Sequence, residues 1–281
     1  MNDSTIIVSM TTWPPRAKSS VEAMKSIVRQ RDGEDVHFVL VLSKEEWSGD
    51  SQHSPKELLD AMSAIGVEVI WDEGNTRSHK KLMPTLGKYP GNAILVVDDD
   101  RLYHEGWLHT FIEDHRRHPH DIIYGSSSSV VEIIDGKITE GLAQRGIFTR
   151  PGEVTYNEKP ANGASGTLYP SGTFTDPRFL DRSLYMRLSP TSDETWQWAW
   201  AVMAGRRYRC LSDHNNPTIL PTCQDCALFK TNMFRYTDYH NAIAAEFPVY
   251  KEKLIRIIQK KELCRQRKST STERPTRLPS A

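Results

Sequence analysis

Across the first 126 residues, short runs of β-branched and aliphatic residues alternate with segments of helical periodicity, one pair in about 25–35 residues. Strands are expected at 4–10 (STIIVSM), 35–43 (DVHFVLVLS), 67–71 (VEVIW), 92–98 (NAILVVD) and 121–125 (DIIYG). Helices are expected over 17–31, 55–65, 79–88 and 105–117, the first carrying Val21, Met24, Ile27 and Val28 on one face. Strands joined by helical crossovers run parallel, so this rhythm predicts an α/β, Rossmann-like fold with a mostly parallel central sheet flanked by helices. Such sheets bind ligands beyond the carboxyl ends of their strands. The residues just after Met10, Trp71 and Val97 are therefore the places to look for chemistry, and all three are polar.

Beyond residue 126 the rhythm breaks. A Ser run (126–129) leads into a hairpin-like VVEIIDGKITEGL with Asp-Gly at its centre, then a Gly/Pro-rich passage from 151 to 178. An aromatic helix, DETWQWAWAVMAG, is expected over about 192–204, closed by Gly205. A last helix is expected from Tyr239 to Leu263, interrupted by Pro248, with a disordered basic stretch from about 266 onward. The expected organisation is one domain over 1–250, with a regular half (1–126) and an irregular half (127–250), followed by a basic helix and tail over 251–281.

With 38% hydrophobic and 26% charged residues, the 281-residue chain has enough apolar material for a large core and too much polarity for a bilayer. Thirty-six Lys+Arg balance thirty-six Asp+Glu, which removes any global electrostatic attraction to nucleic acid. The balance is uneven along the chain: residues 251–281 hold ten Lys/Arg and three Asp/Glu, so the first 250 carry the acidic excess. No run reaches the roughly 18 apolar residues of a membrane span and no leader pattern opens the chain, so a cytoplasmic location is expected. Cys210, Cys223, Cys226 and Cys264 are too few and too clustered for a disulfide framework and read as reduced thiols. With His214 three of them could form a zinc site, although the spacing is not a common ligand pattern.

The segment ILVVDDDRLYHEGW (94–107) ends a buried-type strand in three carboxylates, Asp98, Asp99 and Asp100. Alternation along a strand would send Asp98 and Asp100 to one side and Asp99 to the other. Two converging carboxylates suit a hard divalent cation, Mg²⁺ or Mn²⁺, which keeps several waters and completes its shell with substrate phosphates. A diphosphate-bearing ligand follows. The plainer reading is that the acids cap the helix beginning near His104, which needs one acid rather than three.

These residues resemble the Asp-x-Asp motif of the glycosyltransferases of GT-A fold, and the chain is closest to a family 2-like group from bacterial capsule and lipopolysaccharide gene clusters. VSMTTWPPR (8–16) is similar to that group's opening strand and turn, and RSHKKLMPTLGKYP (77–90) to its segment before the Asp motif. GASGTLYPSG (163–172) resembles its glycine-rich loop, SPTSDETWQWAWAVMAG (189–205) its acidic-aromatic helix, and QDCALFKTN (224–232) its late motif. Ala164 and Ser165 stand where a second glycine is usual, and Cys223 and Cys226 flank the late Gln-Asp pair. The resemblance implies a nucleotide-sugar-binding half over 1–126, an acceptor and catalytic half over 127–250, a uridine-diphosphate sugar donor, a divalent cation and inversion at the anomeric carbon. It also implies that Asp72 contacts the nucleobase or ribose, that Asp98 and Asp100 hold the cation with Asp99 beside the donor, and that His214 is a further cation ligand. Of Asp193 and Glu194, it implies that one is the base for the acceptor hydroxyl.

Physical reasoning adds roles to individual residues. Thr11, Thr12 and Arg16 can hold a nucleobase and phosphate oxygens beyond the first strand. Ser78, His79, Lys80 and Lys81 precede a helical pattern, where cations are electrostatically misplaced without an anion, so they are expected to face the diphosphate. Ser192 can cap the aromatic helix while Asp193 and Glu194 complement its dipole. Gly163, Gly166 and Tyr169 suit close approach of a saccharide, and Trp196, four residues from Trp200, offers an apolar platform for a sugar face; core packing is the ordinary role for such rings. The C-terminal YKEKLIRIIQKKELCRQRK (250–268) places Leu254, Ile257, Ile258 and Leu263 among basic residues, as peripheral association with anionic lipid requires, or packs on the domain with a basic outer face. The expected activity is sugar transfer from a nucleotide-diphosphate donor to a saccharide or lipid-linked saccharide in surface polysaccharide synthesis. The alternatives are a sugar-nucleotide nucleotidyltransferase, whose Gly-rich opening loop TTWPPR does not match, and a non-catalytic carbohydrate-binding protein on a degenerate transferase fold.

Overall fold

The computed structural model describes residues 4–48, 54–142, 151–160, 162–213, 217–221, 232 and 234–272. In chain order the regular half runs β1 (Ile6–Thr11), α1 (Ala17–Val28), β2 (Val36–Ser43), α2 (Lys44–Ser48), α3 (Pro55–Ala64), β3 (Glu68–Asp72), α4 (Met83–Lys88), β4 (Ala93–Val97), β5 (Arg101–Leu102), α5 (Trp107–Arg117) and β6 (Ile122–Tyr124). All five expected strands are present, with ends that differ by one or two residues: β2, β4 and β6 are shorter, β1 starts later and runs on to Thr11, and β3 is shifted by one residue to end at Asp72. The helix expected over 79–88 is instead a 3-10 turn, Arg77–Lys81, followed by α4. Pro84 explains the division, because it cannot continue a helix from the turn but is tolerated in the first turn of a new one.

The irregular half adds β7 (Ser127–Ile134), β8 (Lys137–Leu142), β9 (Val154–Thr155), β10 (Glu158–Pro160), α6 (Asn162–Ser165), β11 (Thr167–Tyr169), α7 (Arg182–Leu188), α8 (Asp193–Met203), β12 (Tyr208–Cys210) and β13 (Thr218–Ile219). Two helices close the described chain, Tyr236–Glu246 and Pro248–Thr272. Asp135 and Gly136 both adopt positive φ, the backbone that a two-residue hairpin turn of matching twist requires, and they join β7 to β8.

The central sheet has eight strands in the order β3-β2-β1-β4-β11-β6-β12-β9. Pairs among β1, β2, β3 and β4 are parallel, as is β6–β12, whereas β11 is antiparallel to both β4 and β6. The glycine-rich loop expected over 163–172 thus contributes a strand to the middle of the sheet. Side chains of the central strands alternate between two apolar clusters. Val8, Leu40 and Val97 pack with Met24 and Ile27 of α1 and Trp107 and Phe111 of α5, whereas Ile7, Val39 and Val96 pack with Trp196 and Trp200 of α8. The result is three layers, helix on sheet on helix.

The last helix begins at Pro248, ahead of the boundary expected at 251, and its first turns belong to the core: Tyr250 and Leu254 are wholly buried. Lys253 reaches the Met203 carbonyl and Lys261 the carboxylate of Glu158 at 2.6 Å. The helix continues to Thr272 through residues expected to be disordered from 266, and its Lys, Glu, Gln and Arg content suits a helix as well as it suits a solvated chain. Among the described residues, no helix is long and apolar enough to cross a membrane.

Candidate active site

Met10 of β1 is in register with Leu40 of β2 and Val97 of β4, so the residues that follow emerge at one rim, the carboxyl end of the parallel strands. Strand β4 stops at Val97, and the three acids lie in the turn beyond it. The alternation expected for them is therefore not realised. Asp99 and Asp100 both meet one guanidinium nitrogen of Arg16, at 2.9 and 3.2 Å, while Asp98 accepts from Lys81 at 2.7 Å. The Thr12 hydroxyl donates to Asp99 at 2.7 Å, and the buried Tyr103 hydroxyl accepts from the Asp98 backbone N–H at 2.8 Å, pinning the turn. Strand β13 adds a further brace, since the Leu220 N–H donates to the Asp100 carbonyl.

Burial pushes the Asp99 carboxyl up to about 6, and Arg16 and Thr12 only partly offset that rise. Burial also opposes the charge of Arg16, but Asp99 and Asp100 outweigh it and hold the guanidinium more firmly protonated. Asp98 is the most accessible of the three acids, with 27% of its side chain exposed.

The basic turn divides by direction. Lys81 points to the rim and lies between Asp98 and Asp193, the latter at 3.7 Å; their charges overcome burial and raise its pKa. Lys80 turns inward to pair with Glu46, is 2% exposed, and burial lowers its pKa. His79 is wholly buried, stacks on Tyr185 at 4.6 Å and bonds the Ser189 carbonyl, and burial lowers its pKa so that the ring stays neutral. The expectation that the whole run faces a diphosphate is corrected accordingly: Lys81 reaches the site, Ser78 is half-buried on the same turn, and His79 and Lys80 hold the turn in place. Thr11 is likewise engaged locally, donating to the Val41 carbonyl at 2.8 Å. Asp72 ends β3 farther along the rim and accepts from Thr76 at 3.3 Å.

On the other side stands α8, whose N-terminus is capped by Ser192 accepting from the Thr195 N–H at 3.2 Å. The helix opens with Asp193 and Glu194, and the structure gives them different surroundings. Asp193 is buried, yet the charge of Lys81 outweighs that burial and lowers its pKa. Glu194 is raised, because burial dominates and the neighbouring Asp193 adds to it against the pull of Lys159. Glu194 keeps 23% of its side chain exposed and accepts from Lys159 at 3.2 Å. A carboxylate that is accessible and binds its proton more tightly than usual suits a general base better than one that is buried and holds its proton less tightly.

Several residues expected at the acceptor side belong to the core. Trp196 is 0% exposed, donates its indole N–H to the Phe179 carbonyl at 3.1 Å and packs against Phe179, Tyr185, Trp200 and Phe247. Trp200 meets Trp196 at 5.5 Å and is buried as well, so neither ring offers a sugar platform. Tyr169 is buried in β11 with its hydroxyl donating to Gln197 at 2.8 Å. Gly166 has a φ of +89°, and a Cβ there would lie 2.5 Å from the Trp107 ring, so it is glycine for backbone and packing reasons. Gly163 lies in α6.

Lys159, Glu140 and His240 belong to no sequence motif, because each lies on a different element without a local pattern. His214 and the late motif's Cys223 and Cys226 lie outside the described residues. Cys210 is buried and its thiol is pushed up to about 12, which suits an unreactive packing residue. Among the described residues no three His, Cys, Asp or Glu gather as a metal-binding group. Asp98 and Asp100 still suit a hard cation that keeps its waters and takes its remaining oxygens from a diphosphate, because such a site asks only one or two carboxylates of the protein.

No protein-family model and no curated protein matches the chain. Solved structures do match it. The crystal structure of S. aureus TarS 1-349 in complex with UDP aligns over 85% of this chain and 65% of its own, with a TM-score of 0.54 and 17% identity. The same protein in complex with UDP-GlcNAc aligns over 75% of this chain and 56% of its own, with a TM-score of 0.51 and 16% identity. A third S. aureus TarS structure gives 77%, 36%, 0.53 and 15% for the same four measures. This chain thus spans less than two thirds of each of these TarS chains. At these identities the likeness is one of fold, and the fold is the GT-A type that the motifs imply.

Proposed function

We propose that this protein transfers a sugar from a nucleoside-diphosphate donor, uridine being the base, to a hydroxyl of a saccharide or lipid-linked saccharide, with inversion at the anomeric carbon. The observation that carries this reading is the position of Lys81, which lies 2.7 Å from Asp98 and 3.7 Å from Asp193. One buried ammonium thereby joins the acid turn beyond β4 to the acid pair that opens α8, although 95 residues separate Asp98 from Asp193. A direct sugar transfer needs these two chemistries side by side, because negative charge gathers on the leaving diphosphate while a proton leaves the acceptor.

Arg16 and Lys81 supply positive charge at the donor side, and Thr12 orients Asp99 and through it Arg16. Glu194 removes the acceptor proton as the acceptor oxygen bonds to the anomeric carbon. The electron pair of the old bond departs with the diphosphate. A divalent cation held by Asp98 and Asp100 would stabilise that departing charge. The TarS structures that share this fold were solved with UDP and UDP-GlcNAc, which supports the donor class. A lipid-linked acceptor is favoured by the outer face of the last helix, where Ile255, Arg256, Lys260 and Leu263 are exposed together, apolar beside basic.

The test is donor turnover. Purified protein given uridine-diphosphate sugars with Mn²⁺ and saccharide acceptors should release UDP and pass the sugar to the acceptor. Replacement Glu194→Gln should lower kcat about 10²–10⁴-fold and leave UDP affinity unchanged. Transfer at the wild-type rate by that variant would remove Glu194 from the mechanism.

A further inference from the structure

Behind Glu194 runs a buried chain of polar side chains that the transfer reaction, as described, does not use. The Lys159 ammonium is 0% exposed and sits 3.2 Å from Glu194 and 3.2 Å from Glu140. Its remaining side faces the Tyr236 ring at 4.5 Å. Glu140 has both oxygens engaged: besides Lys159, one accepts from the Ser129 hydroxyl at 2.5 Å and the other meets His240 at 2.7 Å. The second nitrogen of His240 pairs with the Tyr250 hydroxyl at 2.6 Å. Every member of this chain except Glu194 is sealed in the core.

The members come from five places: Glu194 from α8, Lys159 from β10, Ser129 and Glu140 from the β7–β8 hairpin, His240 from the penultimate helix and Tyr250 from the last. The register of β10 on β7 shifts immediately after Lys159, and an irregularity of that kind re-aims a side chain. A buried ammonium is costly unless its charge is matched. Packing alone would need one carboxylate to match it. Here there are two, one wholly enclosed and one opening to the rim.

We propose that Lys159 is the positioning residue of the acceptor-side base: it holds one oxygen of Glu194 in place while Glu140, braced by His240 and Tyr250, takes up part of its positive charge. This inference rests on the reading of Glu194 as that base. The division of charge has a direct consequence. A full opposite charge at this distance would press the carboxylate toward strong acidity, where it would be a poor base. Shared with Glu140, the lysine orients Glu194 and leaves it able to take a proton. The charged and titratable groups around Glu194 are Lys159, Asp193 on its own helix, Lys81 from the basic turn and Asp98 from the acid turn, with Tyr236 and Glu140 facing it across Lys159. Lys159 and Glu140 form the opposed pair behind Glu194, and their removal should act on it in opposite senses; Lys81 and Asp98 form a second such pair on the rim side, which both variants leave intact.

The experiment is a carbon-13 NMR titration of protein labelled at glutamate carboxyl carbons, in chelator, with the Glu194 signal assigned by its loss in Glu194→Gln. Lys159→Met should move the Glu194 titration up by about one to two pH units, because the cation that favours ionisation is gone. Glu140→Gln should move it down, because Lys159 then serves Glu194 alone. Lys159→Arg keeps the charge and should stay near the wild type. Where sugar transfer is measured, the acid limb of the kcat profile should follow the same order, with the KM for donor unchanged. If Lys159→Met does not fold, the downward shift in Glu140→Gln decides by itself. Shifts in the same direction in both variants, or no shift in Glu140→Gln, would overturn the proposal. The titration needs neither donor nor acceptor, so it judges the coupling whether or not transfer is observed.

Discussion

Asp193 and Glu194 are adjacent in sequence and both acidic, and the structure separates them by their neighbours. Asp193 is buried beside Lys81, while Glu194 opens to the rim and is tied through Lys159 to Glu140. Glu140 shows how strongly such surroundings act. Burial works against its charge, but Lys159 and His240 more than offset this and bring the carboxyl from an ordinary 4.5 down to about 2. A carboxyl with a depressed folded-state value stabilises the fold above its unfolded value, and that contribution is lost as pH falls from 4.5 through 2. The difference corresponds to about 3 kcal/mol. Glu140→Gln should therefore unfold in urea at lower concentration at pH 7, and its deficit relative to the wild type should shrink as pH falls toward 2. A deficit that stays constant with pH would contradict this account of the buried pair. Asp98 to Asp100 and Asp193-Glu194 stand out from sequence alone because acids beside apolar runs violate core patterning. Lys159, Glu140 and His240 do not, since no local spacing links them and only the folded chain brings them together.

Trp196 and Trp200 share one face of α8 and Trp198 points elsewhere, and all three are buried because the helix is packed by the sheet, by α7 and by the two terminal helices. Helical spacing shows which rings share a face; it does not show that no face is left for a sugar. Five of the six strands of the regular half follow from their β-branched runs, whereas three-residue β11, flanked by glycine and proline, carries too little pattern to reveal that it inserts antiparallel between β4 and β6. The last helix reads as an appendage because its outward positions are basic, yet Tyr250 and Leu254 fill the core. Leu254→Ala should cost about 2–5 kcal/mol, read as a lowered urea midpoint with unchanged slope. A midpoint equal to that of the wild type would show that the helix adds nothing to the fold.

For the whole molecule, the parallel strands deliver Thr12, Arg16 and the acid turn to one rim, and the irregular half brings α8 and β10 against that rim from the other side. The sheet and the later elements are thereby joined at Lys81, between Asp98 and Asp193. On the proposed reading, the rim binds a nucleoside diphosphate together with a divalent cation. The most direct test is isothermal titration of the purified protein with UDP, in Mn²⁺ and in chelator, with guanosine, cytidine and thymidine diphosphates as comparisons. The account predicts binding of UDP in Mn²⁺ that is lost in chelator and weakened by Asp98→Asn, with the other diphosphates weaker. Absence of binding by every diphosphate in Mn²⁺, from protein shown to be folded, would contradict it.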